Sequence, residues 1–135
     1  MTQAIIKNVV IVIEQHFNDH TFTVEKLMTI MGYSRGYAWE SIKNSLGASP
    51  LHLIETRRLI ESLRYIAEGM CACEIHLQIG YSSSKSFRRA FKRRLGICPT
   101  ECREMLKEET KIEQIEELKQ KLKTKIKPLN FRDTE

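Results

Sequence analysis

Gly80-Tyr81-Ser82-Ser83-Ser84-Lys85-Ser86-Phe87-Arg88-Arg89-Ala90-Phe91-Lys92-Arg93-Arg94-Leu95-Gly96-Ile97-Cys98-Pro99 is the stretch that decides how this chain folds. A glycine opens it, serines able to cap a helix follow, and Phe87, Ala90, Phe91 and Leu95 recur at three- and four-residue steps before a second glycine. Residues so spaced share one helix face, which predicts an amphipathic helix over about 84–95. The remaining surface carries Ser84, Lys85, Ser86, Arg88, Arg89 and Lys92, followed by Arg93 and Arg94. Ser82–Leu95 thus holds six basic residues and no acidic one.

The same plan stands once more, nearer the N-terminus. Gly32-Tyr33-Ser34 matches Gly80-Tyr81-Ser82, Ile42-Lys43 matches Phe91-Lys92, and Leu46-Gly47-x-x-Pro50 matches Leu95-Gly96-x-x-Pro99, a repeat of 48–49 residues with one residue inserted in the second copy. In the first copy, Thr23 caps a short helix of about 24–31 that Gly32 stops. Ser34 then caps a helix of about 35–46 with Ala38, Ile42 and Leu46 inward. The second copy places its short helix near 72–79. A short helix, a glycine-containing turn and a second helix make the helix-turn-helix plan, present here twice.

Ile5, Ile6, Val9, Val10, Val12, Ile13 and Phe17 predict a buried first helix over about 3–17. Between the copies, Ser49 as cap and Pro50 in the first turn open an uninterrupted helix to about Glu68, before Gly69. At 1.5 Å per residue it spans roughly 28 Å, close to the ~34 Å between successive major grooves on one side of B-DNA. The expected fold class is all-α: two helix-turn-helix subdomains, 1–48 and 70–104, a linker helix, 49–69, and a C-terminal amphipathic helical extension, 105–135.

In a helix-turn-helix the second helix enters the major groove, so its outward face should present cations and hydrogen-bond donors. Ser84, Lys85, Ser86, Arg88, Arg89 and Lys92 supply both: arginine can bond bidentately to guanine, and lysine and serine can reach phosphates or base edges. The first copy offers Arg35, Gly36, Trp39, Glu40 and Lys43, a nearly neutral set, and is expected to bind more weakly. Glu40 can accept from cytosine N4 or repel phosphates; Trp39 can meet thymine methyls or pack against the first helix. Because the tandem copies differ in these positions, one chain reads an asymmetric site, and no dimer is required.

With 135 residues, a net charge of +5 and a pI near 9.1, the chain can bury its own core and favours a polyanionic partner. No leader and no apolar run near ~20 residues is present, so no membrane partner is expected and the location should be cytoplasmic, at the nucleoid. Cys71, Cys73, Cys98 and Cys102 lack the C-x-x-C spacing of most zinc modules and are expected as unbonded small hydrophobes. No cofactor, metal or enzymatic constellation is expected: His16, His20, His52 and His76 are scattered, and no paired acids or phosphate-cradling loop stand out.

With those residues placed, the chain resembles the AraC/XylS family of bacterial transcription regulators, in particular its stand-alone MarA/SoxS/Rob-like group. The resemblance covers about residues 5–103 and is most specific at Gly80-Tyr81-x-Ser83-x-x-x-Phe87-x-Arg89-x-Phe91-Lys92-x-x-x-Gly96-x-x-Pro99-x-x-x-Arg103. Pro128-Leu129-Asn130 is similar to a stretch late in the same group. The resemblance implies a monomeric activator that binds double-stranded DNA and contacts RNA polymerase. Residue by residue, it implies DNA contact from Gly36, Trp39, Glu40 and Lys43, and from Lys85, Ser86, Arg88 and Arg89. Gly36 stands where MarA has a DNA-contacting tryptophan and Glu40 where it has arginine; His76 replaces a small residue of the second turn and Cys102 an aromatic one.

From about Glu101 to Ile126, Leu106, Ile112, Ile115, Leu118, Leu122 and Ile126 predict one amphipathic helix, packed on its own domain or, alternatively, against a second copy or a partner helix. The alternative function is a protein-interaction module that captures RNA polymerase or another regulator while binding DNA weakly, with Glu40 and this helix as its features.

Overall fold

The computed structural model describes residues 2–126, with the side chains of residues 2–4 and of Arg35 left aside; Pro128-Leu129-Asn130 lies outside the described residues. Eight α-helices and one 3-10 turn make up the described chain, without a strand: α1 (Thr2–His16), α2 (Val24–Met31), α3 (Arg35–Leu46), α4 (Pro50–Ala67), α5 (Ala72–Ile79), α6 (Ser84–Leu95), α7 (Pro99–Met105), the 3-10 turn (Glu108–Thr110) and α8 (Lys111–Lys123).

Local chemistry explains the boundaries. Thr23 accepts from the main-chain N–H of Lys26, Ser49 from His52 and Ser83 from Ser86, each taking up a first-turn donor that has no intrahelical acceptor. At the other end of α2, Gly32 turns left-handed (φ 76°), and the Tyr33 N–H bonds back to the Met28 carbonyl at 3.3 Å. Ser34 departs from expectation: it occupies the N-cap position of α3, but its hydroxyl makes no capping bond.

Two buried clusters organise these helices, and α4 belongs to both. The first gathers Ile5, Val9, Ile13, Leu27, Ala38, Ile42 and Leu46 from α1–α3 with Leu53 and Ile54 of α4. The second gathers Leu59, Ile60, Leu63 and Ile66 of α4 with Ile75, Ile79, Phe87, Phe91 and Leu95, and with Leu118 and Leu122 of α8. Each fully buried side chain of this size contributes about 1.5–3 kcal/mol. The connecting helix is therefore a core element in each half, which restrains its orientation far more than a solvated spacer would be.

Charged side chains of α4 add to that restraint. Arg57, 4% exposed, sits between Glu14 of α1 (2.6 Å) and Glu61 one turn on (3.0 Å), with its guanidinium 4.2 Å from the Phe17 ring centroid. Arg58 donates to the carbonyls of Phe17 (2.7 Å), Asp19 (3.2 Å) and Phe22 (3.2 Å) along the loop between α1 and α2, sharing the Asp19 carbonyl with the Phe22 N–H. Against the same corner lies Gly80, the turn of the second copy: φ is +94°, and a Cβ placed there would stand 2.1 Å from the Phe17 carbonyl oxygen. The second turn is thus seated on the end of α1, which only a residue without a side chain permits.

The C-terminal segment differs from the single helix expected over 101–126. It breaks after Met105, where Leu106 is extended (ψ 126°), and resumes as α8 in a new direction. Gln114 accepts from the Lys107 N–H and donates to the Met105 carbonyl, both at 2.9 Å, supplying the hydrogen bonds the break would leave open. The break lets Leu118 and Leu122 reach the second core and Ile126 the first, while Ile112 is left 76% exposed. The cysteine expectation also needs correction: Cys71 and Cys73 are joined in a disulfide. Cys71 is the extended residue before α5, and the strand-like step into the helix brings the two Cα atoms to 5.4 Å, within bridging range. Cys98 and Cys102 are free, and burial pushes the Cys102 thiol up to about 11, leaving it protonated as a small apolar group.

Candidate nucleic-acid interface

The helix α6 divides cleanly into two faces. Phe87, Ala90, Phe91 and Leu95 are buried, with Phe87 and Phe91 meeting edge to face at 5.8 Å between centroids. Lys85, Ser86, Arg88, Arg89 and Lys92 are exposed, and Ser84 is half-buried. Four cations therefore lie along one face with no carboxylate paired to any of them among the described residues. Ser86 is tied into the cap, accepting from the Ser83 hydroxyl at 3.0 Å, so its own hydroxyl hydrogen is free to point outward. At the turn that aims α6, His76 donates from Nδ1 to the Tyr81 carbonyl at 3.0 Å, a side-chain bond across the turn. Burial drives the Tyr81 phenol above its ordinary range, so it stays neutral beside Arg58, whose guanidinium lies 5.4 Å from its ring.

The helix α3 has the same length and the same inward register, Ala38, Ile42 and Leu46, all buried. Its outer side presents exposed Gly36, Glu40 and Lys43 and half-buried Trp39, with Arg35 as its first residue. The Lys43 ammonium lies 5.0 Å from the Trp39 ring centroid, so the one described cation of this face is drawn over an aromatic surface. Glu40 stands free of an ion pair with any described residue. Two homologous helices thus present unlike surfaces, one cationic and one nearly neutral.

Arg93 and Arg94, read from the sequence as a continuation of the outward basic run, turn out otherwise. Both form ion pairs with Glu55 of α4, Arg94 at 2.7 Å, and Arg94 donates further to the Thr56 hydroxyl (2.8 Å) and the Leu122 carbonyl (2.9 Å). Arg94 is a clamp between α6, α4 and α8 rather than a groove residue. A signal was present: Arg94 follows Phe87, Ala90 and Phe91 by seven, four and three positions, which places it on the apolar stripe. Arg58 and the seat of Gly80 on α1 carried no comparable signal, because the atoms they meet belong to main chain about 40 and 60 residues away in sequence.

A family model described as a helix-turn-helix domain matches residues 27–105, more than half of the chain. The RCS-specific HTH-type transcriptional activator RclR of Escherichia coli (strain K12) is 32% identical over 90 residues, 66% of this chain and 32% of RclR, so the chain spans about a third of that relative's length. Among solved structures, the C-terminal domain of AraT, a response regulator from Geobacillus stearothermophilus, is 27% identical with a TM-score of 0.72, over 77% of this chain and 88% of that one. A DNA-binding transcriptional dual regulator from Escherichia coli K-12 shares the fold at 22% identity and a TM-score of 0.64, over 74% of this chain and 89% of that one. Matched across both of its helix-turn-helix units, the chain belongs to the AraC/XylS family of helix-turn-helix DNA-binding transcription regulators.

Proposed function

We propose that the chain recognises an asymmetric site on double-stranded DNA, with α6 as the principal base-reading helix and α3 as a weaker second contact, and that it activates transcription through RNA polymerase. The observation that carries this reading is the outer face of α6, where Lys85, Arg88, Arg89 and Lys92 are exposed, with no ion pair among the described residues, opposite a buried stripe that holds Phe87 and Phe91. Arg88 and Arg89 are the side chains suited to bidentate contact with guanine, while Lys85, Lys92 and the Ser84 and Ser86 hydroxyls suit phosphates. On the first unit Trp39 offers an apolar surface, Glu40 an acceptor for cytosine N4, and Arg35, Gly36 and Lys43 backbone contacts. The division 1–48, 49–69, 70–104 and 105–135 suits this role, one unit to each groove. RclR is by its name a transcriptional activator, which supports the sign of regulation proposed here.

Electrophoretic shifts with promoter fragments, at stated salt and with excess competitor DNA, test the reading: binding should survive competitor, and affinity indifferent to DNA sequence would sink it. The nearly neutral α3 face supports a second reading, an interaction module that captures RNA polymerase or another regulator. Polymerase pull-down unchanged by Arg89→Ala, in a protein that fails to shift DNA, would favour that module.

A further inference from the structure

Behind the recognition face, the first turn of α4, the last turn of α6 and the end of α8 enclose an open cavity of about 580 Å³. Arg93, Arg94, Lys121 and Lys125 line it against a single carboxylate, Glu55. Arg93, one turn on from Arg89 and 57% exposed, borders the outward face of α6, while Arg94, Lys121 and Lys125 lie away from it, so the cluster is assembled from α4, α6 and the end of α8 with the turn that follows it. Glu55 occupies part of the arginine forks and neutralises one of the four cations, so the site is left with three unmatched positive charges. Arg94 is fixed by its bonds to Glu55, Thr56 and Leu122, and Lys121 by a 3.2 Å bond to the Leu95 carbonyl. Lys125 is exposed and makes no hydrogen bond or ion pair with the described residues. The first turn of α4 adds one main-chain donor, the Leu51 N–H: Pro50 has none, and those of His52 and Leu53 are taken by Ser49.

We infer that this cavity is a binding site for a phosphoryl dianion, held by Lys125, Lys121 and the arginine pair at the N-terminus of α4. A dianion matches the unneutralised charge better than a carboxylate, and arginine forks and helix N-termini both suit phosphate geometry. His52, at the wall, reports occupancy. Its Nε2 accepts from Arg94 at 3.1 Å, and burial together with the Arg94 charge holds its imidazole below the ordinary range. Glu55 acts on it in the opposite sense, and Lys125 and Arg93 in the same sense as Arg94. A bound dianion would stabilise imidazolium and raise the midpoint.

The phosphoryl group has two sources, a free phosphorylated ligand or a DNA backbone phosphate, and only the second rests on the DNA-binding reading. NMR of the full chain, titrated with inorganic phosphate against chloride at constant ionic strength, should show saturable shifts at Leu51 and His52 and a higher His52 midpoint. Lys125→Gln should weaken that response at least fivefold, and Arg89→Ala should leave it unchanged. In parallel, the salt dependence of DNA binding is measured for both variants. A slope lowered by about one in Lys125→Gln assigns the group to the DNA backbone, since each phosphate contact contributes ~0.9. Lost phosphate response with unaltered DNA binding assigns it to a free ligand. A phosphate response absent from the wild type or equal in Lys125→Gln, together with an unchanged DNA slope, overturns the site. If neither wild type nor Arg89→Ala binds DNA, the DNA-binding reading fails by itself and the phosphate titration alone decides the cavity.

Discussion

α3 and α6 are copies of one element, 12 residues each, entered from a glycine turn and closed by a left-handed glycine, with the same inward stripe. Their outer faces share almost nothing. Four cations without an ion pair among the described residues line α6; Glu40, Gly36, Trp39 and a lysine drawn over Trp39 line α3. Burial constrains only the inward positions, so a duplicated core tolerates divergence outside it, and the two requirements of folding and recognition sit on different residues of the same helix. The copies also differ in how they are anchored. Gly80 is pressed against the α1 end, whereas a Cβ on Gly32 would meet nothing within 4 Å.

That second difference gives the largest expected effect. Gly80→Ala combines a left-handed backbone penalty of about 1–2 kcal/mol with a clash against main chain that no rotamer relieves, for a total loss above about 3 kcal/mol. Gly32→Ala meets open space and should cost only the backbone penalty, about 1–2 kcal/mol. Denaturant unfolding of both variants measures the gap, and equal losses would remove the claimed seat on α1. Next comes the Arg94 clamp, whose counterpart in the first copy is Ser45. Arg94→Ala leaves Glu55, 15% exposed, with Arg93 alone, and should destabilise by about 2–3 kcal/mol, while Ser45→Ala stays within about 0.5 kcal/mol.

Recognition should show the same asymmetry at smaller cost. Arg89→Ala is expected to weaken binding to a specific site by about 1–3 kcal/mol, and Glu40→Ala by less. Should Glu40→Ala prove the more damaging change in competition shifts, the first unit reads bases and the ranking of the two helices is reversed. The smallest contrast lies in the caps: Ser83→Ala loses a bond to the Ser86 N–H and about 1 kcal/mol, whereas Ser34→Ala, which breaks no capping bond, should leave the melting temperature nearly unchanged.

Much of this molecule is legible in its residues because the signals are local. Glycine and serine punctuation, Pro50 and three-to-four-residue periodicity mark the helices 24–31, 35–46, 72–79 and 84–95, and the repeat ties them into two units. The outward set on α6 follows by subtraction once its apolar stripe is known. Local signals failed where long-range partners decide. The amphipathic pattern over 101–126 is continuous, yet the chain breaks at Leu106, since α8 buries Leu118 and Leu122 only by turning back. Cys71 and Cys73 differ, because their partner is local: a spacing of two matches no common framework, and the extended backbone at Cys71 before α5 is what brings them within reach.

The basic stretch Ser82–Leu95 shows the division most plainly. Its sequence alone determined a helix, its buried stripe and an excess of cations, because helical geometry assigns each residue to a face once the period is known. Only the tertiary structure decided which cations the outward face keeps without a carboxylate partner among the described residues: Lys85, Arg88, Arg89 and Lys92, while Arg93 and Arg94 share Glu55. Charge is a property of residues, but its availability depends on where an opposite charge comes to lie, and here that partner stands 38 and 39 positions away on another helix.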